Sequence, residues 1–218
     1  MRSEKYLALA RHYESCLARH GDTHRGVDWP NKAEAEKRYQ VMLEVVRDSE
    51  GVSLLDFGCG AGHLLDFIGK KEVHGLHYTG MDISPQFVDL CRKKHKGVEF
   101  RCLDILKTDM QFPDFDYIVA NGVFTEKREL TFDEMWLFVR QALLRLWPHV
   151  RCGLAFNVMS KNVEWERNDL FHVPLDLLSK FIVSELSRNF VFRSDYGLYE
   201  VTAYVYRQPR ENRRWQKF

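Results

Sequence analysis

Three glycines alternate in LLDFGCGAGHLLDF: Gly58, Gly60 and Gly62 stand between two apolar runs, with Asp56 just ahead of them and Cys59 between the first pair. A residue without a Cβ lets the backbone turn tightly and approach a ligand closely, so this spacing suits a binding loop where a strand passes into a helix. Dinucleotide-binding loops space their glycines as G-x-G-x-x-G, which seats a pyrophosphate on the helix N-terminus. Here the third glycine comes one residue early, against that reading. A different chemistry belongs to His172, at the end of the polar and aromatic segment SKNVEWERNDLFHVP and just before Pro174. It is the candidate general base, with capping of the following helix as its alternative role. His63 follows the glycines and lines the site or serves only the helix start. Glu126 and Lys127 read as solvated loop, and Tyr196 and Tyr199 as edge-strand surface. No Asp/His set is spaced for a metal.

These residues need elements to hold them. Residues at helical spacing over 3–19 (Tyr6, Leu7, Ala10, Tyr13, Leu17) predict an amphipathic helix, and Tyr39, Met42, Leu43 and Val46 a second one. Between the two lies the Gly/Pro-punctuated HGDTHRGVDWPN. From residue 53 the chain alternates strand and helix: SLLDF, GHLLDFIGK, HYTGMD, then SPQFVDLCRKKH with Ser84 as cap and Pro85 in the first turn. Strands VEFRCL and DYIVAN, a helix over 131–147, the strand CGLAFNV, the helix PLDLLSKFIVSEL and two closing strands in FVFRSDYGLYEVTAYVYR complete the order. Strands separated by helices require parallel pairing and right-handed crossovers, whereas the last two can only form an antiparallel hairpin. The fold class is α/β, a three-layer sheet domain, mostly parallel with an antiparallel C-terminal edge. Residues 1–50 form a helical lid or substrate segment, 51–206 the core and 207–218 a basic tail.

LDFGCGAGHL, an acidic residue followed by G-x-G-x-G, resembles the first motif of class I (Rossmann-like) S-adenosylmethionine-dependent methyltransferases, of the bacterial small-molecule type. The resemblance extends over about 53–206. It implies that YTGMDIS ends the second strand, with Asp82 accepting hydrogen bonds from both ribose hydroxyls and Ile83 flanking the adenine. RCLDIL then places Asp104 at the adenine amino group with Ile105 packed nearby. DYIVANGVF places Asn121 and Gly122 along the methionine part of the cofactor. Asp56, Gly58, Cys59, Gly60 and Gly62 complete the cofactor set, and Phe124 and Trp29 are candidate aromatic neighbours of the sulfur. Core positions are the alternative for both aromatics.

The implied activity is transfer of a methyl group from S-adenosylmethionine to an oxygen or nitrogen of a small polar metabolite, sugar-like or specialised, by in-line displacement, leaving S-adenosylhomocysteine. NGVF, Asn121 to Phe124, lacks the two prolines of the Asn/Asp-Pro-Pro-aromatic signature of base-modifying relatives, which argues against exocyclic base methylation. An RNA or protein methyltransferase and a non-catalytic cofactor-binding module are the alternatives. Lys+Arg 32 against Asp+Glu 31 gives a net charge of +1 over 218 residues, so no global field calls for nucleic acid or membrane. The tail RQPRENRRWQKF holds five basic residues and one acidic. Without a secretory signal or transmembrane stretch, the expected location is cytoplasmic. Five scattered cysteines fit reduced thiols.

Overall fold

A computed structural model describes residues 4–47, 50–107 and 112–210. The sheet holds β1 (Val52–Phe57), β2 (Leu76–Asp82), β3 (Glu99–Cys102), β4 (Phe115–Ala120), β5 (Val150–Ser160), β6 (His172–Val173), β7 (Phe190–Arg193) and β8 (Glu200–Tyr206). Its order is β3-β2-β1-β4-β5-β8-β7, with the two-residue β6 beside the end of β5. β3, β2, β1, β4 and β5 run parallel, and β8 pairs antiparallel with both β5 and β7. The chain moves outward from β1 to β3 and then returns to β4, so strand order reverses between β1 and β4. A crevice opens beyond the carboxyl ends of strands at such a point.

Six helices surround this sheet: α1 (Leu7–His20), α2 (Lys32–Leu43), α3 (His63–Lys70), α4 (Pro85–Lys94), α5 (Phe132–Leu146) and α6 (Leu175–Phe181). Period-two alternation in the strands divides the core between the two faces. Leu54, Tyr117, Val119 and Ala155 pack with Tyr39, Met42, Leu64 and Phe67 of α2 and α3. Leu55, Ile118, Leu154 and Phe156 pack instead with Met135, Val139, Leu143 and Leu178 of α5 and α6. Helix starts follow local chemistry: Ser84 Oγ accepts from the Phe87 amide, and Thr131 and Glu134 close a capping box at α5.

The expected element order matches the structure apart from its ends. α2 begins at Lys32, earlier than the apolar spacing marked, because Asn31 Oδ1 accepts from the Ala33 and Glu34 amides. The segment read as loop through residue 173 contains β6. Tyr196, expected on the surface, is buried with its hydroxyl 2.9 Å from Thr202 Oγ1, whereas Tyr199 is exposed. In the tail, Arg207 donates to the Val150 carbonyl at 2.8 Å and lies over the Trp147 ring; residues 211–218 lie outside the described residues. No helix among the described residues is long and apolar enough to cross a membrane.

Candidate active site

The glycine loop hangs from the end of β2. Gly58 and Cys59 amides both donate to the Met81 carbonyl, at 2.7 and 3.0 Å. Gly60 N then donates to Asp82 Oδ2 at 2.9 Å, and Ser84 N to Asp82 Oδ1 at 2.9 Å. The carboxylate is therefore set by two backbone amides before any ligand arrives, and each oxygen keeps acceptor capacity for another donor. Burial pushes the Asp82 carboxyl up, and the amides of Ser84, Gly60 and Ile83 pull it back. At Gly60, φ is +50° and an added Cβ would sit 3.2 Å from Val27 Cγ1, so the N-terminal segment lies directly against the loop.

Asp56, Gly58, Cys59, Gly60, Asp82, Ile83, Asp104, Ile105, Asn121, Gly122 and Trp29 line one cleft. Asp104 is fixed by Leu106 N at 3.1 Å and by the Tyr6 hydroxyl at 2.7 Å. Asn121 Oδ1 is buried with no hydrogen-bond partner. Trp29 crosses the loop after β4 so closely that a Cβ on Gly122 would lie 2.6 Å from Trp29 Cζ2, and Gly122 has φ +76°. Only glycine serves there. The Arg38 guanidinium lies over that indole, 4.2 Å from its centroid.

Three predicted residues take other places. Gly62 turns its missing Cβ toward Cys91 Sγ and His95, 3.1 and 3.2 Å away, so it serves the approach of α4 and not the ligand. Phe124 is fully buried, edge-on to Phe138 and Phe156, and belongs to the core; Phe138 is the ring that reaches the cleft. His172 is buried in β6, where its Nδ1 lies 2.6 Å from the Ser160 carbonyl and its Nε2 accepts from the Arg167 amide at 3.3 Å. Both ring nitrogens are engaged by backbone, which removes His172 as a general base and gives it the part of joining two loops. Among the described residues, the segment 161–171 contributes nothing to the cleft lining, and Trp165 is exposed.

Of the N-terminal segment read as a lid, only Trp29 is named for the site from sequence. Tyr6, Leu9, Ala10 and Tyr13 of the N-terminal segment face the cleft, with Tyr39 from α2 and Phe138 from α5. The helical spacing of Tyr6, Ala10 and Tyr13 was the available signal, since an apolar stripe covers a ligand as readily as a core. His63 does line the cleft, and its Nε2 lies 2.8 Å from Asp22 Oδ1, tying the N-terminal segment to α3. Glu126 is no solvated loop residue: burial pushes its carboxyl up to about 8, with Asp28 adding to the rise. An antiparallel bridge to Leu170 and the Lys127 and Arg128 amides bonding to the Asp169 carbonyl hold it inward.

Asp56 supplies a pH test. Burial pushes its carboxyl up to about 7, against the Tyr78 hydroxyl at 2.7 Å that holds it down. An unfolded-chain carboxyl titrates near about 4, so from about pH 4 to about pH 7 the folded state keeps a proton that the unfolded chain has lost. The contribution of this group to stability therefore falls as pH rises through that window and is level above it. Asp56→Asn removes the titration. Thermal melts are expected to show the variant gaining on the parent between about pH 4 and about pH 7, with no further change above; a constant difference would contradict the assignment.

Residues 55–145 match the family described as "Methyltransferase domain". Over these residues the chain resembles a class I methyltransferase domain, and its sheet has that fold. Its similarity to a Mycobacterium tuberculosis protein provisionally named a methyltransferase is 27% identity over 168 residues, 75% of this chain and 98% of the relative. The methyltransferase fold is shared with magnesium protoporphyrin IX methyltransferase from Synechocystis PCC 6803 with bound S-adenosylmethionine. There the TM-score is 0.64 at 14% identity, covering 94% of this chain and 98% of that one. The plantazolicin methyltransferase BpumL, in complex with a pentazolic desmethylplantazolicin analogue and S-adenosylhomocysteine, gives 0.63 at 15% identity, covering 95% and 98%. S-adenosylmethionine is the cofactor of this domain class. The cleft of the methyltransferase domain fits it: a preset carboxylate suits vicinal hydroxyls, and the unpartnered Asn121 Oδ1 suits an ammonium donor.

Proposed function

We propose that the chain binds S-adenosylmethionine in the cleft between β1 and β4 and methylates an oxygen or nitrogen of a small molecule. The observation that carries this reading is Asp82, fixed by the Gly60 and Ser84 amides beside the unpartnered Asn121 Oδ1 in one cleft. Bound there, the cofactor supplies an electrophilic methyl group on a sulfonium. Asp82 receives the ribose hydroxyls, Asp104 and Ile83 flank the adenine, and Asn121 and Gly122 run along the methionine part. The N-terminal segment, closing over the glycine loop through Val27 and Trp29, keeps water out of line with the transfer. Residues 1–50 thus act as the lid of a core spanning 51–206.

The acceptor is a small molecule with a flat or apolar body that carries the reacting hydroxyl, carboxylate or amine. Leu9, Tyr13, Val27, Trp29 and Phe138 support this choice over a sugar, since apolar and aromatic side chains reward burial of apolar area. The polar segment 161–171 stands away from the cleft lining and offers no polar wall for a sugar. Magnesium protoporphyrin and a pentazolic analogue, named with two proteins of this fold, agree in character.

Release of S-adenosylhomocysteine from S-adenosylmethionine by purified protein, across separate pools of acceptors, tests the reading. Turnover is expected with phenols, aromatic amines or apolar carboxylic acids and not with sugars. Turnover only with sugars would overturn the acceptor class, and turnover only with RNA or protein would overturn the small-molecule reading.

A further inference from the structure

His12, Cys16, Asp28 and Glu126 meet beside the cleft. His12 and Cys16 stand four residues apart on α1 and so share one face. Asp28 ends the short 24–27 helical turn in a left-handed conformation, φ 58°, and Glu126 reaches inward from the loop after β4. His12 Nε2 lies 2.6 Å from Asp28 Oδ2, 3.6 Å from Cys16 Sγ and 3.7 Å from Glu126 Oε2. The donor atoms of His12, Cys16 and Asp28 all fall within 4.8 Å of one another. We propose that these four side chains bind one divalent transition-metal cation of the zinc type.

Geometry and donor chemistry both support this site. A tetrahedral ion with bonds of about 2.0–2.3 Å separates its ligand atoms by about 3.3–3.8 Å. Two of the three distances from His12 Nε2 already match, and the third opens by about 0.7 Å to admit the ion. One imidazole nitrogen, one thiolate and two carboxylate oxygens form a borderline-soft set, suited to zinc and foreign to magnesium or calcium. Cys16 is buried, and the His12 and Glu126 side chains are only 16% and 13% exposed. Glu126 Oε2 has no hydrogen-bond partner although it is buried and faces His12, an arrangement that a cation between them would satisfy.

Two cations stand behind the ligands. Arg19 Nη2 lies 3.5 Å from Cys16 Sγ, and Arg128 Nη1 lies 3.5 Å from Glu126 Oε2, positions from which they balance an anionic ligand set. No C-x-x-C spacing announces such a site; His12 and Cys16 are near in sequence, but Asp28 and Glu126 join them only through the fold. The metal would join α1, the lid turn and the β4 loop next to Tyr13, which lines the cleft.

Cobalt(II) titration of chelator-stripped full-length protein, without oxygen, tests the proposal. One equivalent is expected to bind with the intense visible bands of a tetrahedral ion and a near-ultraviolet sulfur-to-cobalt charge-transfer band, both erased by zinc. Cys16→Ser should remove the charge-transfer band. Glu126→Gln should weaken cobalt binding by at least about tenfold while leaving that band at saturation; it remains decisive if the serine variant fails to fold. Absence of saturable uptake would overturn the proposal. So would a charge-transfer band that survives Cys16→Ser, or an affinity unchanged by Glu126→Gln.

Discussion

Asp82→Ala is expected to weaken S-adenosylhomocysteine binding by about 10- to 150-fold, roughly 1.5–3 kcal/mol. The substitution removes a charged acceptor for two hydroxyls and also releases the Gly60 and Ser84 amides that it holds, both at 2.9 Å. The loop and the head of α4 lose their common anchor, so the effect should stand at the upper end of the range. Equilibrium dialysis measures the binding loss, and thermal melts report the accompanying loss of loop anchorage. A variant that binds as the parent does would remove Asp82 from the site.

Glu200→Ala is expected to cost about 3–5 kcal/mol of stability, because it takes the close partner from a buried cation and leaves Arg38 only the half-exposed Glu34 carboxylate at 3.8 Å. Glu200 is 1% exposed; its Oε1 accepts from Arg38 Nε at 2.6 Å and its Oε2 from Asn157 Nδ2 at 2.7 Å. Asn157 Oδ1 in turn accepts from Gly122 N at 2.8 Å, and Arg38 stacks over Trp29. The network thus runs from β8 through β5 to the loop after β4 and back through α2 to the lid, bracketing the Gly122–Trp29 contact. Denaturant unfolding measures the loss. Replacing both charges, Arg38→Met with Glu200→Leu, should recover only part of the stability, because Asn157 Nδ2 still loses its acceptor, and should still impair cofactor binding, since the clamp on Trp29 is gone. A Glu200→Ala variant as stable as the parent would contradict the network.

Much of this fold was legible because its signals are local. Leu54 and Leu55 announce a strand buried on both faces, Ser84-Pro85 marks a helix start, and three alternating glycines mark a binding turn. Asp82, Asp104 and Asn121 meet in one cleft for the same reason, since each ends or closely follows a strand at the carboxyl edge of the sheet. What failed depends on distant partners. His172 looked available until β6 paired with β5 and the backbone took both ring nitrogens. Phe124 lies only two residues past Gly122 yet points into the core. Glu126 looked solvated because nothing near it shows the bridge to Leu170 that carries it inward. The same distance hid the meeting of His12 with Glu126.

The central claim is that this one cleft holds S-adenosylmethionine. Isothermal titration of the parent chain with S-adenosylmethionine tests it most directly, with Gly60→Val as the matched control. The predicted result is saturable binding at one molecule per chain, lost in the variant because a side chain at Gly60 meets Val27 and a left-handed backbone. No binding by the parent, or equal binding by both, would contradict the account.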